Sequence, residues 1–148
     1  AAEQAPGAVI EATESSLAKT LYLSDDTEHD PKTPRFAYPL LLCSPDTQAP
    51  VGLAIYLYTY STWMASPGVC LEELYVVPEF RRIGYAKLLI QAMAKEAHKA
   101  GCSKMEWVCL EGNEKALRFY ENLGAKRMSD WVVLKMGREG IEVLTKEE

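Results

Sequence analysis

Residues 69–101 constrain the fold of this chain more than any other segment, because they join a strand, a short turn and a helix without interruption. The strand reads VCLEELYVV and is rich in β-branched and aromatic residues. The helix repeats apolar residues at helical spacing, namely Ala86, Leu89, Ile90, Met93, Ala97 and Ala100. Polar side chains occupy its opposite side, at Lys87, Gln91, Lys95 and His98. The segment therefore predicts the strand and the amphipathic helix of an α/β domain.

The turn between strand and helix reads RRIGYA and has small residues at Gly84 and Ala86, where the helix begins. A helix start offers unpaired N–H groups and the positive end of the helix dipole, so it can bind phosphate. Small residues there let a ligand approach the backbone closely. The sequence has neither the Gly-Lys-Ser/Thr of a P-loop nor the Gly-x-Gly-x-x-Gly of dinucleotide-binding folds. We interpret the turn as a diphosphate site of another kind, with an ordinary strand-to-helix turn as the alternative.

Composition narrows the class of partner. With 16 Lys and Arg against 21 Asp and Glu the net charge is −5, which argues against a nucleic-acid partner. The longest apolar stretch is too short to span a bilayer, and two histidines are too few and too far apart to suggest a zinc site. The four cysteines form no C-x-x-C pair and are predicted to be buried free thiols of a cytoplasmic protein.

The length and the order of elements predict a single α/β domain over residues 1–148. A helix capped by Thr13 is expected to end near residue 22, with Leu17 and Leu21 on its inner side. Further along, we predict strands at 36–43, 51–62 and 69–77, the helix of the opening segment, a strand at 104–110, a helix at 113–123 and a last strand at 132–136. Two segments are predicted to be irregular, a leader (1–7) and a polar loop (24–35).

Two motifs resemble the characteristic blocks of the GNAT acetyltransferase superfamily. The first is Arg/Gln-x-x-Gly-x-Gly/Ala, matched by Arg81, Gly84 and Ala86. The second is N-x-x-A-x-x-F-Y-x-x-x-G-A, which begins at Asn113 and places Tyr120 two helical turns later on the same side of the helix. The resemblance implies an α/β, GNAT-like fold with a mixed, mostly antiparallel central sheet flanked by helices, here without the family's first strand and helix.

The runs at 52–63 and 71–76 are similar to the spermidine/spermine (diamine) N-acetyltransferase-like branch, which includes relatives acting on thialysine and other small amines. One departure concerns the acceptor: polyamine enzymes often carry an acidic residue just before the tryptophan, where this chain has Ser61 and Thr62. The branch implies acetyl-CoA as cosubstrate, no metal, a small-molecule amine as partner, no nucleic acid, no membrane and a homodimer.

The resemblance also implies roles for individual residues. Glu72 is the candidate base and Tyr120 the candidate acid, whereas Glu72, Glu73 and Trp63 would bind the amine substrate. Regular alternation would turn Glu73 away from Glu72, but a β-bulge would bring both carboxylates toward the acceptor. The alternatives are a solvated Glu73 and a core Tyr120. Cofactor binding is assigned to Leu74, Tyr75, Val76, Arg81, Arg82, Ile83, Gly84, Tyr85, Ala86, Lys87, Asn113, Lys115 and Tyr120.

Together these observations predict an acetyl-CoA-dependent N-acetyltransferase. It would move the acetyl group to a primary amine of a small polyamine or lysine-like amine by direct attack in a ternary complex. Two alternatives stay open: acetylation of protein lysines or other small amines, and a non-catalytic CoA-binding module that senses rather than catalyses.

Overall fold

The computed structural model describes residues 10–23 and 34–146. The predicted leader and almost all of the predicted polar loop lie outside the described residues. The contacts of the chain cluster into two compact units, residues 1–110 and residues 111–148, which are described separately. The expectation of one domain stays a prediction.

The first unit is built on a four-stranded mixed sheet in the order β1–β2–β3–β4. The strands are β1 (Tyr38–Cys43), β2 (Pro50–Ser61), β3 (Ser66–Val76) and β4 (Lys104–Glu106). The first three form an antiparallel meander, and β4 pairs in parallel with β3. This arrangement confirms the mixed, mostly antiparallel sheet expected from the sequence.

The helix α2 (Tyr85–Lys99) packs against all four strands of this sheet. Leu89, Ile90, Met93 and Ala97 are buried along its inner side, and the Met93 side chain is fully enclosed. The predicted polar positions are exposed, as is Ala100, which lies just past the last helical residue. The periodicity in the sequence therefore predicted the helix and its buried face correctly. Burial of these side chains is a main source of stability for the unit.

A shorter helix, α1 (Glu14–Thr20), precedes the sheet. Thr13 and Ser16 form a capping box at its start, as the predicted cap requires. Backbone hydrogen bonds from Tyr22 N–H to the Ala37 carbonyl and from Phe36 N–H to the Thr20 carbonyl attach its end to the chain before β1. The expected inner side is wrong for Leu17, which is 41% exposed, because the helix is held by its ends rather than by a buried face.

Four tyrosines form a cluster where β1 and β2 meet the end of α1. The Tyr22 and Tyr38 rings are stacked with centroids 4.4 Å apart, and Tyr38 lies 5.4 Å from Tyr56. Tyr58 meets the Tyr38 and Tyr56 rings edge-on. Burial raises the pKa of Tyr56 to about 12, with smaller contributions from Tyr58 and Glu96. The cluster thus holds at least one phenol in its neutral form.

The second unit contains α3 (Glu114–Asn122) and α4 (Arg138–Leu144). The predicted strand at 132–136 is wrong: these residues form no helix or strand in the structure. Val132, Val133 and Leu134 are 76–88% exposed, and no other described strand pairs with them. A β-branched run becomes a strand only where a partner strand is present. The sequence did not predict the helix α4, because this charged segment is typical of an irregular C-terminal tail.

Two further expectations were partly wrong. The strand predicted at 104–110 ends at Glu106, where its pairing with β3 ends. The four cysteines are free, as predicted, but none is buried: Cys43 is exposed and the other three are partly exposed.

Candidate active site

A β-bulge in β3 places two neighbouring carboxylates on one face of the sheet. Along β2, Ile55, Tyr56 and Leu57 pair with Glu73, Leu71 and Cys70, so Glu72 is the extra residue. Because Ile55 and Leu57 share a face, their partners Glu73 and Cys70 share it as well. Glu72 follows Cys70 by two positions and extends outward from the bulge, exposed to solvent. The predicted bulge is therefore present.

The environments of the two carboxylates differ. Glu73 is partly buried, and its Oε1 atom is covered by surrounding protein, whereas Glu72 is exposed. An exposed carboxylate can exchange protons directly with water, and the charge of a partly buried carboxylate is less screened by salt. The pair thus offers one group suited to proton transfer and one suited to charge recognition.

The strands β3 and β4 part beside this bulge. Their parallel pairing covers only Gly68 with Lys104, Val69 with Met105 and Cys70 with Glu106. Within residues 10–23 and 34–146, the rest of β3 pairs with no strand on the β4 side. The backbone of residues 73–76 therefore forms a sheet edge that can accept an extended ligand by main-chain hydrogen bonds. Leu74, Tyr75 and Val76, the residues assigned to the pantetheine arm, lie on this edge.

Arg81 fastens the segment after β3 to the end of that strand. Its Nε donates a hydrogen bond of 2.7 Å to the Val76 carbonyl, and its guanidinium lies 5.5 Å from the centre of the Tyr75 ring. The first fixed position of the motif therefore has a positioning role between β3 and α2. A short 3-10 helix, Pro78–Phe80, occupies the intervening chain, and the Phe80 ring stacks on Tyr85.

The start of α2 has the geometry that an anion site requires. Gly84 is the N-cap residue, with φ of +96°, and no side chain among the described residues caps the helix. A Cβ added at Gly84 would meet no atom within 4 Å, so the space above this backbone is open. The amides of Tyr85, Ala86 and Lys87 belong to the first helical turn, where N–H groups have no partner within the helix. These features fit a bound diphosphate.

Arg82 and Ile83 lie between Arg81 and Gly84, just before the start of α2. Arg82 has φ of +67°, which is a strained conformation for a residue with a side chain, and it is exposed. Ile83 is 61% exposed. With this conformation at Arg82 the backbone turns sharply into α2, and the charged side chain of Arg82 lies in solvent. All cofactor-binding residues predicted between 74 and 87 thus lie in one unit, along the edge of β3 and the start of α2.

The remaining predicted cofactor residues belong to the second unit. Asn113 caps α3, since its side-chain oxygen accepts a hydrogen bond of 3.2 Å from the Ala116 N–H. Lys115 is exposed in the first turn of α3, and Tyr120 is partly buried with its ring 5.1 Å from Phe119. The cap predicted at Asn113 is confirmed. The catalytic and cofactor roles of these residues stay predictions.

Trp63 lies in the turn between β2 and β3 and is 86% exposed. From Ser66, next to that turn, to Glu72 the strand runs six residues, roughly 20 Å at the usual rise. Trp63 is therefore well separated from the candidate base. A contact with an acceptor would have to involve the far end of a long molecule.

An ion pair that the sequence did not predict lies on β4 opposite Cys70 and Gly68. Lys104 Nζ lies 2.7 Å from Glu106 Oε1, and the Thr59 hydroxyl donates to the same oxygen at 3.3 Å. Burial, Glu106 and Glu72 raise the pKa of Cys70, and Lys104 lowers it. The charges thus surround Cys70 beside the bulge. Lys104 and Glu106 are two positions apart on β4, but Thr59 and Cys70 lie far from them in sequence, and only the pairing of β2, β3 and β4 brings all four together.

Comparison with known proteins agrees with this geometry. The model of the acetyltransferase (GNAT) family matches residues 10–125, more than half of the chain. The chain therefore belongs to the GNAT acetyltransferase family. Some of its relatives are named as N-acetyltransferases and others as tyramine N-feruloyltransferases, and the family of the chain is that of acetyl-CoA-dependent N-acetyltransferases.

Three relatives illustrate the branch. L-Ornithine N5-acetyltransferase NATA1 of Arabidopsis thaliana is 27% identical over 91% of this chain and 74% of that protein. Thialysine N-epsilon-acetyltransferase of Mus musculus is 33% identical over 64% of this chain and 56% of that protein. A human spermidine/spermine N(1)-acetyltransferase-like protein is 24% identical over 70% of this chain and 15% of that protein. The chain spans three quarters or less of these curated relatives, and the predicted resemblance to their branch is confirmed.

A solved structure shows the same fold. An integron cassette protein from the mobile metagenome of V. cholerae superposes with a TM-score of 0.72, covering 92% of this chain and 80% of that protein at 22% identity. Within residues 10–23 and 34–146, no three His, Cys, Asp or Glu residues are grouped as metal ligands, and none of the helices has the length and hydropathy of a membrane span.

Proposed function

We propose that this chain transfers the acetyl group of acetyl-CoA to a primary amine at the end of a small lysine-like amine or polyamine. The observation that carries the proposal is the bulge at Glu72 beside the point where β3 and β4 part. It combines an exposed carboxylate, a free strand edge and, after a short connection, the open start of α2. The names of the relatives, which refer to ornithine, thialysine and spermidine, support a primary amine as acceptor.

The chemistry asks for a base because the amine is protonated in water. A primary ammonium with a pKa near 10.4 is neutral in only about one molecule in a thousand at physiological pH, so reaching the nucleophilic form costs about 4 kcal/mol. Glu72, directly or through a water molecule, would accept that proton. Its exposure supports this role, since the proton must leave to solvent.

The other residues would bind and orient the reactants. Bound acetyl-CoA would supply the activated acetyl group. Those backbone amides of residues 74–76 that face away from β2 would hold and polarise the acyl carbonyl, as donors to a developing negative charge. The first turn of α2 would hold the diphosphate, and Arg81 would keep that turn in register with β3. Tyr120 would return a proton to the leaving sulfur.

The pH dependence of the rate tests the assignment of Glu72. In Glu72→Gln we expect kcat to fall by roughly 10² or more, the range for a positioned general base, and the acidic limb of the profile to disappear. The matched control is Glu79→Gln, which removes an exposed carboxylate from the 3-10 helix. An unchanged acidic limb in Glu72→Gln would transfer the role of base to another group. Intersecting initial-rate lines are expected for direct attack in a ternary complex.

A further inference from the structure

The Lys104–Glu106 ion pair lies on the same face of the sheet as Glu72, nearer to the start of β3. Glu106 pairs with Cys70 and Lys104 with Gly68, two and four residues before Glu72 along β3. At the usual rise these positions are about 7 Å and about 13 Å from Glu72 along the strand. An acceptor that extends from Glu72 along this face would meet the carboxylate of Glu106 first and the ammonium of Lys104 next.

The position of Lys104 depends on a glycine. A Cβ added at Gly68 would lie 2.8 Å from Cγ of Lys104 and 2.8 Å from the Thr59 hydroxyl oxygen. The stem of Lys104 therefore lies directly over the Gly68 backbone, in space that any other residue would fill. Thr59 in turn donates to Glu106, so side chains from β2 and β4 converge across β3. The pair is a built feature of the sheet and not a chance contact of two mobile side chains.

The pair is also open to a ligand. The Lys104 and Glu106 side chains are 38% and 46% exposed. An ion pair with this exposure contributes little to stability, so exchanging partners with a ligand costs little. A ligand with one ammonium and one carboxylate on the same carbon atom would satisfy both charges at once.

From this geometry we propose that Lys104 and Glu106 are specificity residues that bind the α-carboxylate and the α-ammonium of an amino acid whose side-chain amine reaches Glu72. The inference rests on the proposed function and extends it from primary amines in general to amino-acid zwitterions. The length is suitable: the side-chain nitrogen of lysine is about 6 Å from Cα when extended, from five bonds of roughly 1.5 Å. That span is close to the rise along β3 between Glu72 and Cys70, the residue with which Glu106 pairs.

Three acceptors of matched length test the recognition of the α-carboxylate and of the α-ammonium separately. L-Lysine has both, cadaverine lacks the carboxylate, and 6-aminohexanoate lacks the α-ammonium. In Lys104→Met, which keeps the stem, we expect KM to rise about tenfold for lysine and 6-aminohexanoate and to stay unchanged for cadaverine. In Glu106→Gln we expect a similar rise for lysine and cadaverine and none for 6-aminohexanoate. The value of kcat should change little, because neither residue touches the reacting atoms.

The control is Lys99→Met, which removes an ion pair of the same length, 2.7 Å, from the surface of α2. It should change none of the three KM values. Because the acceptors are compared on the same variant, partial loss of folded protein does not alter the KM ratios. Equal changes for all three acceptors, or no change, would overturn the inference while wild-type acetylation of lysine left the proposed function standing. If the wild type acetylated none of the three nor any other primary amine, both would be overturned.

Discussion

At the scale of single residues, Glu72 and Glu73 show how one extra residue changes chemistry. In a regular strand their side chains would point to opposite faces, but the bulge gives Glu73 the face of Cys70. Because Glu73 is partly buried, its charge is less screened than that of an exposed group. We therefore expect Glu73→Gln to raise KM for a diamine more than for a monoamine of equal length, and this difference should shrink in high salt. Equal changes for the two amines, with no salt effect, would show that Glu73 does not read charge.

Tyr120 allows a second residue-level prediction. Tyr120→Phe keeps the ring and its contact with Phe119, so the protein should fold normally. If the hydroxyl protonates the leaving sulfur, turnover should fall by roughly 10². Tyr60→Phe, which removes a hydroxyl from a residue 65% exposed on β2, serves as the control. Wild-type turnover from Tyr120→Phe would leave Tyr120 a packing role in the second unit.

At the scale of elements, the diphosphate site at the start of α2 can be tested by comparing the glycines at the two ends of this helix. Gly84 and Gly101 both have positive φ, +96° and +71°, and a Cβ at either would meet no atom within 4 Å. Substitution by alanine at either position should therefore lower the free energy of unfolding by a similar amount, roughly 1–2 kcal/mol. Only Gly84→Ala should also weaken CoA binding, by at least tenfold or about 1.4 kcal/mol, because its methyl group would enter the space above the first turn. Calorimetry with CoA measures this, and equal affinity in the two variants would contradict the diphosphate assignment.

The tyrosine cluster on β1 and β2 predicts how stability depends on alkaline pH. Since the pKa of Tyr56 is raised from 10.0 to about 12, folding favours the neutral phenol. This contribution is fully present below pH 10 and is lost as the pH rises through the window from 10 to about 12. We expect Tyr56→Phe to reduce the fall in melting temperature across that window, and Tyr60→Phe to leave it unchanged. Identical pH dependence in the two variants would show that Tyr56 does not ionise with unfolding.

The elements also show what local sequence can predict. The face of α2, the cap at Thr13 and the cap at Asn113 depend on residues three or four positions apart, and all were predicted correctly. The run at 132–136 has strand composition, but a strand also needs a partner, and none of the described strands provides one. The network of Thr59, Lys104 and Glu106 depends on the register of three strands. Register is a non-local property, so the sequence did not show that Lys104 and Glu106 meet Thr59 across β3.

At the scale of the whole molecule, the first unit by itself contains the candidate base, the free edge of β3 and the open start of α2. The second unit contains Asn113, Lys115 and Tyr120. Binding of CoA is thus expected to depend mainly on the first unit. Gly84→Ala should act on the affinity for CoA, and Tyr120→Phe on kcat.

Acetyl transfer to a small amine is tested most directly by the stoichiometry of the reaction. The full chain is incubated with acetyl-CoA and L-lysine, L-ornithine, thialysine or spermidine in turn. Mass spectrometry counts the acetylated amine, and a thiol reagent counts the free CoA. We predict one side-chain-acetylated amine for each thiol released, and a much slower reaction in Glu72→Gln. If CoA binds in calorimetry but no acetylated amine forms with any acceptor, the chain is a CoA-binding module, and the account of an acetyltransferase is contradicted.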